Sequence, residues 1–353
     1  MCGARHDRGV DPSPDRPVVR RIALVGLGSV GRALGALVAE RHGQIVAELG
    51  VDLRITGVMT RTLGLVDAAD GLDLAALARG AASGGRPYDV GEVGAWLERS
   101  GADVLVEASV VDLDSGEPAT GFLREALRRG IHGVTANKGP VVHAYRELTA
   151  LAEAQGVRFR FEAATADCLP IYNLYREALP LDRPHRFRGM VNGTTTVILE
   201  TIEAGGSYAD GVAEAQRRGI AEADPSLDVD GYDAAVKVIA IANVLMRADL
   251  RLADIAVTGI RDLDPADVRD AASAGTPIRL VAEIELVDGV VRARVAPERL
   301  DARDPFVRVG GDDLAVHFDG ALMPGITVVG HGLTPRETAY GVLSDVIGVL
   351  RGR

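Results

Sequence analysis

The run Glu222-Ala-Asp224-Pro-Ser-Leu-Asp228-Val-Asp230-Gly-Tyr-Asp233-Ala-Ala-Val-Lys237 sets five carboxylates ahead of one ammonium. Asp233 and Lys237 are four residues apart, so on a helix they share one face. Lys237 lies in an otherwise apolar stretch with Val236, Val238, Ile239 and Ile241. A lysine buried there needs a nearby acid, or it loses its proton. Such a set has the chemistry to hold a zwitterionic amino acid and to keep a proton donor charged. Two plainer readings fit the same residues: a calcium-like acidic loop, and a solvated turn with an i,i+4 ion pair. The spacing does not match an EF-hand loop, which needs a Glu at its twelfth position.

A second motif is Gly26-Leu27-Gly28-Ser29-Val30-Gly31, placed after a predicted strand and at the opening of a helix. Glycines at these spacings let backbone N–H groups and the helix N-terminus approach a pyrophosphate closely. The pattern predicts a dinucleotide cofactor. An acid at the tip of the second strand takes the ribose 2′-hydroxyl of NAD, whereas an arginine suits the 2′-phosphate of NADP. Asp52 is about 20 residues beyond Gly31, the spacing expected of the acid. The first helix is long, however, and places Asp52 before the second strand. At the correct end stand Met59, Thr60, Arg61 and Thr62. Arg61 has the planar fork that grips a phosphate, so NADP is favoured and NAD stays open.

The elements that must position these residues follow from the periodicity. Short apolar runs at 21–25, 53–59, 103–108, 131–136 and 157–162 alternate with helical stretches, including 118–129 and 141–155. That alternation predicts βαβ units and a doubly wound parallel sheet, a Rossmann-type domain over 20–165. The Gly-rich stretch 81–87 reads as an exposed connection. Beyond Pro170 a strand near 187–191 leads into Asn192-Gly193-Thr194-Thr195-Thr196 and a helix to about Glu203. Ser207 with Asp210 forms a capping-box pattern. An apolar helix spans Gly231 to about Met246, Asp264-Pro265 opens another, and strands follow at 278–286, 290–296 and 314–318. The second domain, 166–328, is therefore expected to be α+β with an open mixed sheet. The apolar helix near Thr338–Leu350 has no partner in that sheet, so 329–353 is expected to return to the first domain. Residues 1–19 carry Pro12, Pro14 and Pro17 without an apolar core, and read as a disordered tail and not a signal peptide.

Composition narrows the class. The 353 residues are 47% apolar, enough for two domains with sizeable cores. Against 50 Asp and Glu stand 39 Lys and Arg, a formal charge of −11 with no basic patch. That balance excludes nucleic acid and anionic membranes as partners. No uncharged apolar run reaches about 18 residues, so no membrane span is expected. Cys2 and Cys168 cannot build a disulfide framework, which points to the reducing cytoplasm.

Taken in order, several stretches resemble the homoserine dehydrogenase family. They are Gly26–Gly31, Ser115-Gly-Glu117-Pro-Ala119, Val134-Thr-Ala-Asn137-Lys138-Gly-Pro140, Asn192-Gly-Thr-Thr195, Ala221-Glu222-Ala-Asp224-Pro225 through Lys237, and Ala339-Tyr-Gly-Val-Leu-Ser344-Asp345. The set covers about residues 20 to 350. The resemblance implies reduction of aspartate 4-semialdehyde to homoserine by NAD(P)H, a step toward threonine and methionine, in a homodimer or homotetramer built through the second domain. It implies Lys237 as proton donor to the developing alkoxide, Asp233 as the group that orients it, and Lys138 as a rival donor between cofactor and substrate. Glu222 and Asp228 would hold the substrate amino group, with Gly193 and Thr195 beside it. Ser109, Lys138 and the loop at Gly332 would join the glycine motif and Arg61 at the cofactor. Carbonyls of Glu162, Thr165, Asp167 and Leu169 would hold a monovalent cation. A C-terminal regulatory domain, present in many members, is not expected here.

The chain departs from the family in Ala164-Thr-Ala-Asp167-Cys168-Leu169-Pro170, where small glycine-rich residues are common, in Thr196 after Gly-Thr-Thr, and in Gly330-His331-Gly332. Asp167, Cys168 and Thr196 leave open a relative reducing a different amino-acid semialdehyde; a cofactor-binding sensor without turnover is a second alternative. Intact Lys138, Asp233 and Lys237 argue against the sensor, which needs no proton donor.

Overall fold

The computed structural model describes residues 17–80, 85–86 and 90–352. Strand β1 (Val18–Val25) ends in Ile22, Ala23, Leu24 and Val25, all buried. Four consecutive side chains are buried because helices cover both faces of a parallel sheet. Helix α1 (Ser29–Leu49) stops at Gly50, whose φ of 64° lies in the left-handed region that glycine adopts without strain. The chain then returns as β2 (Val51–Thr60), parallel to β1 from Val18↔Val51 to Val25↔Met59. The first strand thus begins earlier than expected. Val18 and Val19 belong to the sheet, with Val18 N–H donating to Gly50 O at 2.7 Å, while residues 1–16 of the expected tail lie outside the described residues.

The first domain continues through β3 (Gly64–Asp67), α2 (Leu74–Ala78), α3 (Val93–Ser100), β4 (Val104–Glu107), α4 (Ala119–Arg128), β5 (His132–Thr135), α5 (Lys138–Ala154) and β6 (Phe159–Arg160). Strand order is β3-β2-β1-β4-β5-β6, parallel except for β3. Order reverses between β1 and β4, so the loops at their carboxyl ends open a crevice. Trp96 of α3 is fully buried, donates to Val66 O at 3.0 Å and packs on Gly57, where a Cβ would come within 2.9 Å of the ring. Of the connection expected at 81–87, residues 81–84 and 87 lie outside the described residues, and Arg86 bridges to Leu65. The strand expected at 157–162 is cut to two residues. Glu162 turns inward there, and its carboxylate accepts the N–H groups of Ile171, Tyr172 and Asn173.

The second domain holds β7 (Pro184–Met190), α6 (Gly193–Glu203), α7 (Tyr208–Arg217), α8 (Ser226–Val229), α9 (Tyr232–Leu245), β8 (Ala256–Val257), α10 (Pro265–Ser273), β9 (Ile278–Val287), β10 (Val290–Arg299), β11 (Leu314–Gly320) and β12 (Ile326–Gly330). Its sheet runs β12-β11-β7-β9-β10-β8 and is mixed, because β8 joins β10 in parallel. Ser207 and Asp210 form the reciprocal cap of α7, and Asp264 caps α10.

Two helices join the domains. Helix α9 is apolar on nearly every side and packs between α5 and strands β9 and β10. This carries Asp233 and Lys237, in its first two turns, to the N-terminal end of α5. Helix α11 (Pro335–Leu350) leaves the second sheet and lies on α1. Its Ala339, Val342, Leu343, Val346 and Val349 share an apolar cluster with Leu34, Leu37 and Val38. Burying each Val or Leu there is worth about 1.5–3 kcal/mol. No helix among the described residues is long and apolar enough to cross a membrane.

Candidate active site

The glycine loop has the geometry of a phosphate cradle. Gly26, at φ 93°, sits against Ala108, whose carbonyl oxygen would be 2.3 Å from any Cβ. Gly31 faces the Gly26 carbonyl at the same 2.3 Å. These two close the turn, whereas nothing stands within 4 Å of a Cβ on Gly28, the N-cap of α1. Leu27, Ser29 and Val30 complete the turn, and the first N–H groups of α1 face outward for an anion. A cavity of about 720 Å³ opens beside it, lined by Gly26, Gly28, Thr60, Arg61, Ser109 and Val110 among others. Among the described residues no carboxylate lines it. Asp52 is at the far end of β2, paired with Val19 and bound to Arg54 and His42. Arg61 is at the tip of β2, as expected.

Ser109 is held by a residue that sequence reasoning passed over. Its N–H and hydroxyl both donate to Glu107 Oε1, at 2.8 and 2.5 Å. Glu107 is fully buried at the end of β4 and also accepts Thr135 Oγ1 at 2.8 Å. Thr135 Oγ1 in turn takes the Asn137 N–H, and Asn137 caps α5 by accepting Gly139 N–H at 2.9 Å. Burial raises the Glu107 carboxyl, against these hydrogen bonds. One side chain thereby fixes both the Ser109 loop and the entry of α5, where Lys138 sits.

Across the cleft, Asp233 gathers the charged groups. Oδ1 receives Lys138 Nζ at 2.5 Å, and Oδ2 receives Lys237 Nζ at 2.8 Å and Asn192 Nδ2 at 3.0 Å. Lys237 Nζ also donates to Val191 O at 2.5 Å. Both lysine side chains are mostly buried, 20% and 14% exposed. Burial alone would raise the Asp233 carboxyl, but Lys237 and then Lys138 outweigh it and hold it far below the carboxylate range. Burial would lower Lys237, but Asp233, helped by Asp167 and Asp228, raises it above an ordinary lysine. Lys237 is therefore an ammonium at neutral pH. With two of its three N–H bonds engaged, the third is left for a ligand.

A smaller cavity of about 250 Å³ reaches Lys237. Its lining includes Val30, Asp167, Asn192, Gly193, Asp228 and Asp233. Asn192, the first residue of the Asn192–Thr195 motif, organises this cavity. It caps α6 through Thr195 N–H at 3.0 Å, and its Nδ2 bridges Asp233 to Asp228 Oδ1 at 2.7 Å. Burial and then Asp233 raise the Asp228 carboxyl. Thr195 is buried below, its hydroxyl donating to Asn192 O. Glu222 is exposed and outside the cavity lining; its carbonyl holds Gln216 Nε2. Gly332 N–H and His331 both bond to Asp313, which shapes the loop leading to Leu333 at the cavity. Cys168 is a half-buried free thiol pushed up by burial, not an activated nucleophile.

The turn at 162–169 links the domains. Asp167 adopts φ 54°, and its carboxylate accepts the Thr338 hydroxyl at 2.6 Å. Of the four carbonyls expected at a cation, that of Leu169 accepts Ile171 N–H at 2.9 Å. That of Asp167 faces Gly341, where a Cβ would stand 2.9 Å away. Glu162 and Thr165 are both buried in the same turn. Among the described residues, no cluster of three His, Cys, Asp or Glu side chains forms that would hold a metal.

The geometry thus joins a dinucleotide cradle to a two-lysine carboxylate centre. Comparison with known proteins is consistent with the dinucleotide cradle. Residues 26–162 match the family model "Homoserine dehydrogenase, NAD binding domain", and residues 170–347 match "Homoserine dehydrogenase". An NAD(+)-dependent homoserine dehydrogenase of Pseudomonas canavaninivorans is 39% identical over 336 residues, covering 93% of this chain and 96% of its own. The structure of a homoserine dehydrogenase from Thiobacillus denitrificans superposes with TM-score 0.81 at 30% identity, over 95% of this chain and 74% of that one. A hyperthermophilic archaeal homoserine dehydrogenase mutant in complex with NADPH gives 0.79 at 28% identity, over 95% and 99%.

Proposed function

Since this chain belongs to the homoserine dehydrogenase family and is an NAD(P)-dependent oxidoreductase acting on a CH–OH group, we propose how its own residues carry that reaction. A nicotinamide dinucleotide held by the Gly26–Gly31 turn and Arg61 would supply the hydride for the aldehyde carbon of aspartate 4-semialdehyde. Lys237 gives a proton to the oxygen as charge develops there. Its ammonium is kept charged by Asp233, and its Nζ is aimed by the paired bonds to Asp233 Oδ2 and Val191 O. Lys138, on the other oxygen of Asp233, fixes the carboxylate from the cofactor side and adds positive charge facing the oxyanion. Asp228, held by Asn192, takes the substrate ammonium; Gly193 lines the same cavity. Glu222 is assigned no contact, and no step is routed through a cation.

One observation carries this reading: a single carboxylate binds lysines from both domains, one of them at the entry of α5 that Glu107 ties to the Ser109 loop of the cofactor cavity. Steady-state reduction of aspartate 4-semialdehyde by Lys237→Ala tests it, with loss of kcat expected while NADPH binding persists. Substrate identity follows the family, and the Asp167, Cys168 and Thr196 departures leave the two-lysine centre intact.

Arg61 favours NADP over NAD, because the β2 tip offers a guanidinium and, among the described residues, the cavity has no carboxylate in its lining. We assign a homodimer formed through the second sheet. Helices α6, α9 and α10 cover one face of it. The other carries the 300–309 segment over Met190, Val281 and Ala315, beside a chain of ion pairs through Arg186, Glu283, Arg294, Glu298 and Arg188. Sedimentation at micromolar concentration tests this; a monomer would contradict it. The two cysteines, without a disulfide partner signal, favour a cytoplasmic setting.

A further inference from the structure

A separate cavity of about 450 Å³ lies where the edge strand β6 meets the connector Leu174–Ala178 that leads toward β7. It shares no lining residue with the two cavities described above. Arg158, Arg160 and Arg176 all line it, against two carboxylates, Glu153 and Glu177. Phe161 and Tyr145 form an apolar wall.

Arg160 is the unusual member. Its side chain is only 7% exposed, yet its one carboxylate partner within ion-pair distance, among the described residues, is Glu177 at 3.4 Å. That is long for a charge-assisted hydrogen bond, which is usually about 2.7–2.9 Å. A guanidinium has five N–H donors, and a buried charge ordinarily needs a close counter-ion. Burial, followed by the neighbouring Arg176, pushes Arg160 down to about 10, while Asp345 and Glu177 hold it up. Asp345 is committed elsewhere, accepting Glu162 N–H at 2.7 Å and Asn173 Nδ2 at 2.9 Å. Glu177 is 46% exposed, so its carboxylate has solvent on its outer side. Arg176 stands over the Phe161 ring, 5.7 Å from its centroid, and spends one bond on Asn173 Oδ1. Arg158 spends one on Gly352 O. Each keeps donors in reserve.

We propose that this cavity binds a small oxyanion of the phosphate or sulfate class, with Arg160 at its floor, Arg158 and Arg176 on its walls, and Glu177 as the side chain it displaces. The ligand would tie the cofactor sheet to the connector between domains. It is therefore placed to stiffen that junction without touching substrate.

Protein saturated with NADPH, which occupies the cofactor cradle, would be titrated with inorganic phosphate by calorimetry at constant ionic strength set with chloride. One saturable site per chain is expected. Glu177→Gln, which removes the competing carboxylate, is expected to tighten binding by about three- to tenfold, and Arg160→Gln to weaken it by about tenfold or more. The Glu177 variant changes an exposed side chain, so its result stands whether or not the Arg160 variant folds. Absence of saturable heat in the NADPH-bound wild type, or phosphate affinity unchanged or weakened by Glu177→Gln, overturns the proposal.

Discussion

Lys138 Nζ meets Asp233 Oδ1 at 2.5 Å across 95 residues of sequence, from the first turn of α5 to the first turn of α9. This contact crosses from one domain to the other. It places the proton-handling centre at their junction, so its geometry depends on how the domains are held together. Asp233 is thereby a positioning residue for two ammoniums at once.

Removing that carboxylate has a definite pH signature. Asp233 is what raises Lys237 above an ordinary lysine, against burial. In Asp233→Asn burial is opposed less, so the Lys237 pKa falls. Oxidation of homoserine needs the neutral amine, and its pH–rate profile should rise at lower pH in the variant than in wild type. Reduction needs the ammonium, and its activity should be lost at correspondingly lower pH. Profiles of both directions, taken at saturating cofactor, check this; limbs that stay in place would sink it.

Asn192 carries two jobs, and a substitution should show both. Asn192→Ala loses the cap of α6, worth about 0.5–2 kcal/mol, and leaves Asp228 and Asp233 without their bridging amide. Thermal unfolding should report the first effect. Homoserine KM should rise by about tenfold as Asp228 loses its orientation, with the KM of the cofactor little changed. A variant whose only defect is in the cofactor KM would remove Asn192 from the substrate side.

Cofactor choice rests on Arg61. Arg61→Ala should lower kcat/KM for NADPH by about tenfold or more, the scale of one charge-assisted phosphate contact. That for NADH should stay within about twofold, since the 2′-phosphate is the only group lost. Equal losses for both cofactors would place Arg61 away from the 2′-phosphate.

The sequence made much of this legible where the signal is local. The i,i+4 spacing put Asp233 and Lys237 on one face, and the glycine motif sat between a strand and a helix, as found. The lengths of α1 and β2 placed Asp52 at the wrong end of its strand, and the register Val19↔Asp52 agrees. Non-local pairing was less visible. Strand β3 is four residues long and is defined by its pairing with β2. Helix α3 carries Val93, Trp96, Leu97 and Ser100 at helical spacing, a signal present but unread. Glu107 closes a short strand and Asn192 opens a motif; only the fold shows what their second oxygen or nitrogen reaches. The Lys138–Asp233 pair was accessible through the ordered motifs alone, because no periodicity links residues so far apart.

The central claim is that Lys237 supplies the proton while Lys138 supports it through Asp233. The direct test is kcat for aspartate 4-semialdehyde reduction in Lys237→Ala and Lys138→Ala, beside NADPH affinity measured by fluorescence. Lys237→Ala should lose about 10²-fold or more in kcat, the scale of a missing general acid, while binding NADPH as wild type does. Near-wild-type kcat in that variant, with the large loss found in Lys138→Ala instead, would contradict the assignment and move the proton to the other lysine.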